Sequence, residues 1–250
     1  MQKHWMILAA GLTLALPAHA VDWKEMLKGV IAKPAGETAT SSGVDALSTT
    51  EINAGLKEAL TRGADAAVTQ LGQKDGFFGN AALKIPLPPS LQKAEKAMHM
   101  VGMGKQADEL VLSMNRAAEA AVPEAKTLLV DAVKEMTLED ARGILTGGQT
   151  SATDFFRRKT ELRLTERFTP IVKATTDKAG LAQQYNRYAG MAAQFNLVDK
   201  SQANVEQYVT QQSLDRLYRL IGEKEQAIRA NPLQAGSDLL KKVFGAVSGK

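Results

Sequence analysis

Between Ser48 and Val247 apolar residues recur three and four positions apart through most of the chain, the period of helices that bury one face. Ser48-Thr49-Thr50-Glu51 has the form of a capping box, in which serine and glutamate each satisfy a free backbone N–H at a helix start. Ile52, Leu56, Ala59, Leu60, Ala67, Val68 and Leu71 then form one stripe, which predicts a helix to about Gln70 that Gly72 ends. Ser90 is the expected N-cap of a second helix reaching about Val101, with a break at Gly102 and Gly104. Lys105 to Val122 follow with Ala107, Leu110, Val111, Met114, Ala118 and Ala121 on one side. Pro123 suits the first turn of the next helix, which carries Leu128, Leu129, Ala132, Val133 and Met136.

Thr137 and Asp140 predict the cap of a short helix that stops at Gly147-Gly148. Ser151-Ala152-Thr153-Asp154 is read as another box, opening a helix with Phe155, Phe156, Leu162, Thr165 and Phe168 inward and a kink near Pro170. Helices are expected over Leu181–Phe195, Val205–Arg229 and Asp238–Val247, the last turning Leu239, Leu240, Val243, Phe244 and Val247 inward. No run alternates strictly enough for a β-strand, and no period repeats. The expected fold is all-α, a single multi-helix bundle over residues 48–250.

One long interval breaks the helical pattern. In Leu71–Leu91, Gly76 and Gly79 bracket Phe77 and Phe78, and Pro86, Pro88 and Pro89 fix the backbone. Proline locks φ and pushes the preceding residue into extended geometry, so Ile85 and Leu87 are expected to be extended. The interval reads as an ordered loop pinning the first long helix to the second. Between these two glycines the adjacent aromatics cannot both face inward. Phe77 and Phe78 therefore either anchor the loop, the reading favoured by how native loops pack, or are exposed to a partner or a membrane.

Ahead of the bundle the pattern changes. Residues 1–20 combine Lys3, an apolar run from Trp5 to Leu16 and the ending Ala18-His19-Ala20. This is the form of a secretory signal cleaved after Ala20, and it predicts an exported, periplasmic protein. The apolar run falls short of the ~20 residues a membrane span needs, so no transmembrane segment is expected after cleavage. No cysteine stands at the cleavage point, which argues against a lipid anchor. Residues 21–32 form a short amphipathic segment with Trp23, Met26 and Leu27 on its apolar face, a pattern suited to weak peripheral membrane contact. Docking on its own domain is the plainer reading of so short a helix. Residues 33–47 are small and polar and read as a flexible linker.

The whole chain carries a formal net charge of +4, and Lys3 is the one charged residue that cleavage removes. Along the sequence Lys and Arg are interleaved with Asp and Glu, so no nucleic-acid partner is expected. Cysteine is absent, which excludes disulfides, thiol chemistry and thiolate metal sites. An exported chain of this length must then be held by its hydrophobic core, and it is long enough to form one.

Several phrases are specific as a set: LGQKDGFFGN, IPLPPSLQKAEKAM, ELVLSMNRAAEAAVPEAK, AVKEMTLEDARGILTGG, ATDFFRRKT, QYVTQQSLDRLYRLIGEKEQAIRANP and DLLKKVFG. Together, from about Leu47 to Gly245, they closely resemble a bacterial family catalogued as domain of unknown function 4197. The resemblance implies an exported helical protein of Gram-negative-type bacteria. Some members look lipid-anchored, and this chain departs from them in lacking the cysteine. The resemblance implies no established activity and assigns no catalytic residues.

Chemistry must therefore be sought residue by residue. After cleavage His99 is the single histidine, which rules out two-histidine metal motifs and makes a Ser/His/Asp set depend on it alone. His99, Met100 and Met103 are the one candidate metal set, since imidazole and thioether suit Cu(I). The stronger reading is that these methionines fill a core with His99 at its edge, and no metal or cofactor is expected. Asp131, Glu135 and Glu139 at four-residue spacing read as a solvated face, and Arg116 can pair with Glu119 on one helix. The leading functional reading is a non-enzymatic protein that binds an apolar ligand or an envelope protein partner. Phe77, Phe78, Met114, Met136, Phe156, Phe168 and Tyr185 are its candidate contact residues. The alternatives are an enzyme built on Asp131 or Glu135 with Arg157, and an envelope structural protein held to the membrane by residues 21–32.

Overall fold

A computed structural model of the chain describes residues 49–100, 102, 104–178, 180, 183, 185–186, 189 and 204–231. The expected signal, the amphipathic segment with Trp23, Met26 and Leu27, the linker, Ser48, Met103, most of Leu181–Phe195 and all of Asp238–Val247 lie outside them. The protein is all-α, with no strand among the described residues. In chain order the helices are α1 (Thr49–Gly72), α2 (Pro89–Met100), α3 (Gly104–Ala121), α4 (Ala125–Lys134), α5 (Leu138–Thr146), α6 (Ser151–Lys178) and α7 (Val205–Ala230). A 3₁₀ turn, Val122–Glu124, joins α3 to α4. Among the described residues no helix is long and apolar enough to cross a membrane.

Helix α6 lies at the centre, packed against α3, α4, α5 and α7, while α1 packs on α4 and α7. The stripe foreseen on α1 is its buried face, with Leu56, Ala59, Leu60, Ala67, Val68 and Leu71 all buried. One apolar core continues through α1, α3, α4, α6 and α7. Pro123 stands in the 3₁₀ turn, where its missing N–H breaks no helical bond. A Cβ on Gly72 would come within 3.0 Å of the Pro123 ring, so the end of α1 sits directly on this turn.

The start of α5 matches its sequence pattern. The Thr137 hydroxyl accepts the Asp140 N–H at 3.1 Å, and the Asp140 carboxylate accepts the Thr137 N–H at 3.1 Å. Burial alone would raise the Asp140 pKa. The bonds from the Thr137 N–H and hydroxyl, with the charges of Lys159 and Arg158, outweigh burial and hold it below the usual carboxylate value.

Helix α6 departs from expectation twice. The Ser151 hydroxyl donates to the carbonyls of Ile144 and Gly148 instead of capping its own helix. The cap comes from Glu225 on α7, whose carboxylate accepts the N–H groups of Ala152 and Thr153 at 3.0 and 2.9 Å and the Thr153 hydroxyl at 2.8 Å. Leu162, expected inward, is 82% exposed. The buried face of α6 steps by four through Phe156, Thr160, Leu164, Phe168, Val172 and Thr176. Leu162 stands two positions from Thr160 and from Leu164, about 200° around the helix, and so points away. Pro170 lies inside α6, which continues to Lys178.

The loop between α1 and α2 is tied down from two sides. From α3, one Glu119 carboxylate oxygen accepts the N–H groups of Phe77 and Phe78, both at 3.2 Å. The other takes Arg116, which also reaches Asp75 at 2.7 Å. The Asn115 side chain serves both backbone groups of Ile85, accepting its N–H at 2.8 Å and donating to its carbonyl at 2.9 Å. From α7, the Tyr208 hydroxyl donates to the Pro86 carbonyl at 2.9 Å, and Arg216 donates to the Lys84 carbonyl at 3.1 Å. Phe77 is buried beneath the loop, whereas Phe78 is half-buried with the Lys84 ammonium 4.3 Å from its ring centre. A Cβ on Gly76 would stand 2.5 Å from the Gln70 carbonyl oxygen, so the turn out of α1 has room only for glycine. The end of α1 is thereby fixed relative to α3 and α7.

Candidate functional site

Where α1 passes α7, small residues leave the two helices with a groove between them. Its deep part, about 40 Å³, is lined by Leu56, Leu60 and Gly63 of α1, Phe156 of α6, and Ile221 and Ile228 of α7, with Glu225 and Arg229 as its polar wall. That part has room for a few waters, far below the ~300 Å³ of a small-molecule pocket. An open groove of about 320 Å³ shares Gly63 and Ile228 with it and continues over Ala66 and Ala227, with Arg62 and Lys224 at its rim. A Cβ built on Gly63 would meet only the Ile228 Cδ1, at 3.9 Å. Hydrogen in place of a side chain there sets the width of the groove.

The polar wall is largely buried and structural, with Glu225 buried and Arg229 half-buried. Arg229 donates to Glu225 at 2.8 Å, to the Ile144 carbonyl at 2.9 Å and to the Ser151 hydroxyl at 2.8 Å. It holds the carboxylate that caps α6, so one pair joins the groove wall, the α5–α6 turn and the first turn of α6. At the rim Arg62 pairs with Glu58 at 2.9 Å, and Lys224 enters no ion pair among the described residues.

Of the contact residues expected from the sequence, Phe156 lines this groove. Phe77, Met114, Met136, Phe168 and Tyr185 are buried in the core. Phe78 is half-buried against the core, under Lys84 and Arg116. His99 is partly exposed and lies 3.3 Å from Asp108, and Met100 is 82% exposed, so Met100 fills no core. Asp131 pairs with Lys134 at 3.0 Å, while Arg157 pairs with Glu161 and Asp215 and lies over the Tyr218 ring. Among the described residues no three His, Asp or Glu side chains converge as metal ligands would. The pairing of Arg116 with Glu119 is as the sequence suggests. Asn115 and Glu119 as loop anchors, and Glu225 as a cap, are functionally placed residues that periodicity does not show. The one sequence signal is a polar residue on the buried arc of α3, four positions after Val111 and again four later.

The fold and its groove define a helical bundle with an open apolar furrow between two long helices. The chain belongs to the family described as protein of unknown function (DUF4197), which matches residues 46–245. Comparison with curated proteins finds no match, and comparison with solved structures finds none either.

Proposed function

We propose that the chain is an exported, periplasmic, non-enzymatic binding protein that seats an apolar helical segment of an envelope protein in the α1/α7 groove. The observation behind this reading is the furrow itself, with Gly63, Ala66, Ala227 and Ile228 along it and Arg62 and Lys224 at its edges. Small-molecule sites enclose most of their ligand, and this furrow is open along its length. A helix laid into it needs only close approach, which glycine and alanine permit, and apolar anchors at three- and four-residue spacing. The basic rim favours acidic residues beside those anchors.

The test is site-specific photo-crosslinking in cells, with the photoreactive group at Ala66 or Ala227. The reading expects a discrete adduct with one envelope protein, lost when Gly63→Leu fills the furrow while the melting temperature stays close to that of the parent. Adducts that persist in the Gly63→Leu protein, or no adduct at either position, contradict it.

A further inference from the structure

Helix α7 ends at the furrow. Asn231, its C-cap, is one of the furrow's lining residues and has left helical geometry, with φ −136° and ψ 68°. Pro232 follows, and a proline drives the residue before it out of the helical region, so the chain departs from the furrow wall itself. The sequence continues as PLQAGS and then DLLKKVFGAV, in which Leu239, Leu240, Val243, Phe244 and Val247 share one helical face. At about 100° per residue Lys241 and Lys242 fall on the opposite side, with Asp238 between them. The family's domain extends to residue 245 and so takes in most of this face.

We propose that residues 238–247 fold back and lay this apolar face in the α1/α7 furrow, where they compete with the envelope helix; the competition, though not the seat, rests on the function proposed above. Reach is ample: PLQAGS can span ~20 Å, against roughly 8–10 Å between packed helix axes. Length fits, since from Ile221 to Asn231 the furrow follows α7 for about 15 Å, the length of a helix over 238–247. Its floor fits too. Ala66 and Ala227 are exposed and Gly63 and Ile228 half-buried, so an apolar helix face can approach closely and cover them. Elsewhere among the described residues the large exposed apolar side chains are Met100, Leu138 and Leu162, each on a different helix, and they form no face. With Lys241 and Lys242 turned to solvent, the segment brings no positive charge against Arg62 and Lys224. So short a tether holds it near the furrow at about millimolar effective concentration, which lowers the apparent affinity of any competing helix.

Cysteine pairs test the seat, because the chain has no cysteine of its own. In the full chain one cysteine replaces Ala66, and a second replaces each residue from 239 to 247 in turn. Mild oxidation of the purified protein is expected to give monomeric disulfides that peak on the apolar face and are scarce at 241, 242 and 245. Adding Gly63→Leu should abolish the peaks while the core still melts where the parent's does. Joint Leu240→Ser and Phe244→Ser substitution is expected to raise the in-cell adduct yield at position 227 severalfold, in a protein whose core melts as before. Equal disulfide yield at every position, or none at any, would overturn the seat. An adduct yield that the double substitution leaves unmoved would overturn the competition. Periodic disulfides with no envelope adduct in either protein would uphold the seat and remove the partner reading alone.

Discussion

Glu119 and Asn115 lie on the buried arc of α3, where an unpaired carboxylate or amide would cost several kcal/mol, and both give their polar atoms to the loop backbone. Arg116 shares the same carboxylate, and that bond, followed by the one to Asp75, holds its pKa above the ordinary value against the opposing effect of burial. Glu119→Ala should therefore cost about 3 kcal/mol, since it orphans two N–H groups and an arginine at once, with Glu119→Gln costing less. Urea denaturation monitored by helix signal measures both. The buried tyrosines set a limit at alkaline pH. Burial pushes the Tyr208 and Tyr218 phenols up to about 12 from the ordinary value of 10.0, and Tyr185 is raised by burial too. A pKa raised in the fold contributes stability that is complete below the unfolded value and lost as pH climbs toward the folded one. Stability should hold to pH 10.0 and then fall by ~1.4 kcal/mol per pH unit for each such tyrosine up to about 12. Absorbance at the tyrosinate band should rise together with loss of helix, and ionisation of these side chains in a folded protein below pH 10.0 would contradict their burial.

At the scale of elements, α6 depends on a residue from another helix for its first turn. Glu225→Ala removes the acceptor of two backbone N–H groups and the Thr153 hydroxyl and releases Arg229, so it should destabilise the protein by about 2–3 kcal/mol. Limited proteolysis should then cut first near Gly147-Gly148; a cleavage pattern identical to the parent would show that the cap is dispensable. These cases also mark what was legible in the sequence. The α1 stripe and the Thr137–Asp140 box depend on neighbours within one helix, and both stand where the pattern places them. The Glu225 cap spans more than 70 positions, and no local signal distinguishes it from the short-range box that Ser151 and Asp154 imitate. Leu162 lies seven positions after the buried Phe155 and so shares its helical face in the sequence, but tertiary packing follows the four-step row through Thr160 and Leu164 and leaves Leu162 outside.

Over the whole molecule, the pieces form one arrangement. The loop fixes the end of α1 to α3 and α7, and the passage of α1 along α7 then leaves the furrow that Gly63 keeps open. The all-α class and the single core follow from apolar spacing, whereas the furrow arises only once two helices face each other, so of the expected contact residues Phe156 alone lines it. Most of the others are core, because the large Met, Phe and Tyr side chains that suit a ligand site suit close packing equally well. The arrangement of α1, α3 and α7 therefore depends on the loop behaving as part of the folded interior. Amide hydrogen exchange followed by NMR at Phe77, Phe78 and Ile85 tests this most directly. The expected result is protection matching the α3 amides, with Glu119→Ala releasing Phe77 and Phe78 ahead of Ile85. Exchange of all three at the rate of an unprotected peptide, while α3 stays protected, would contradict it.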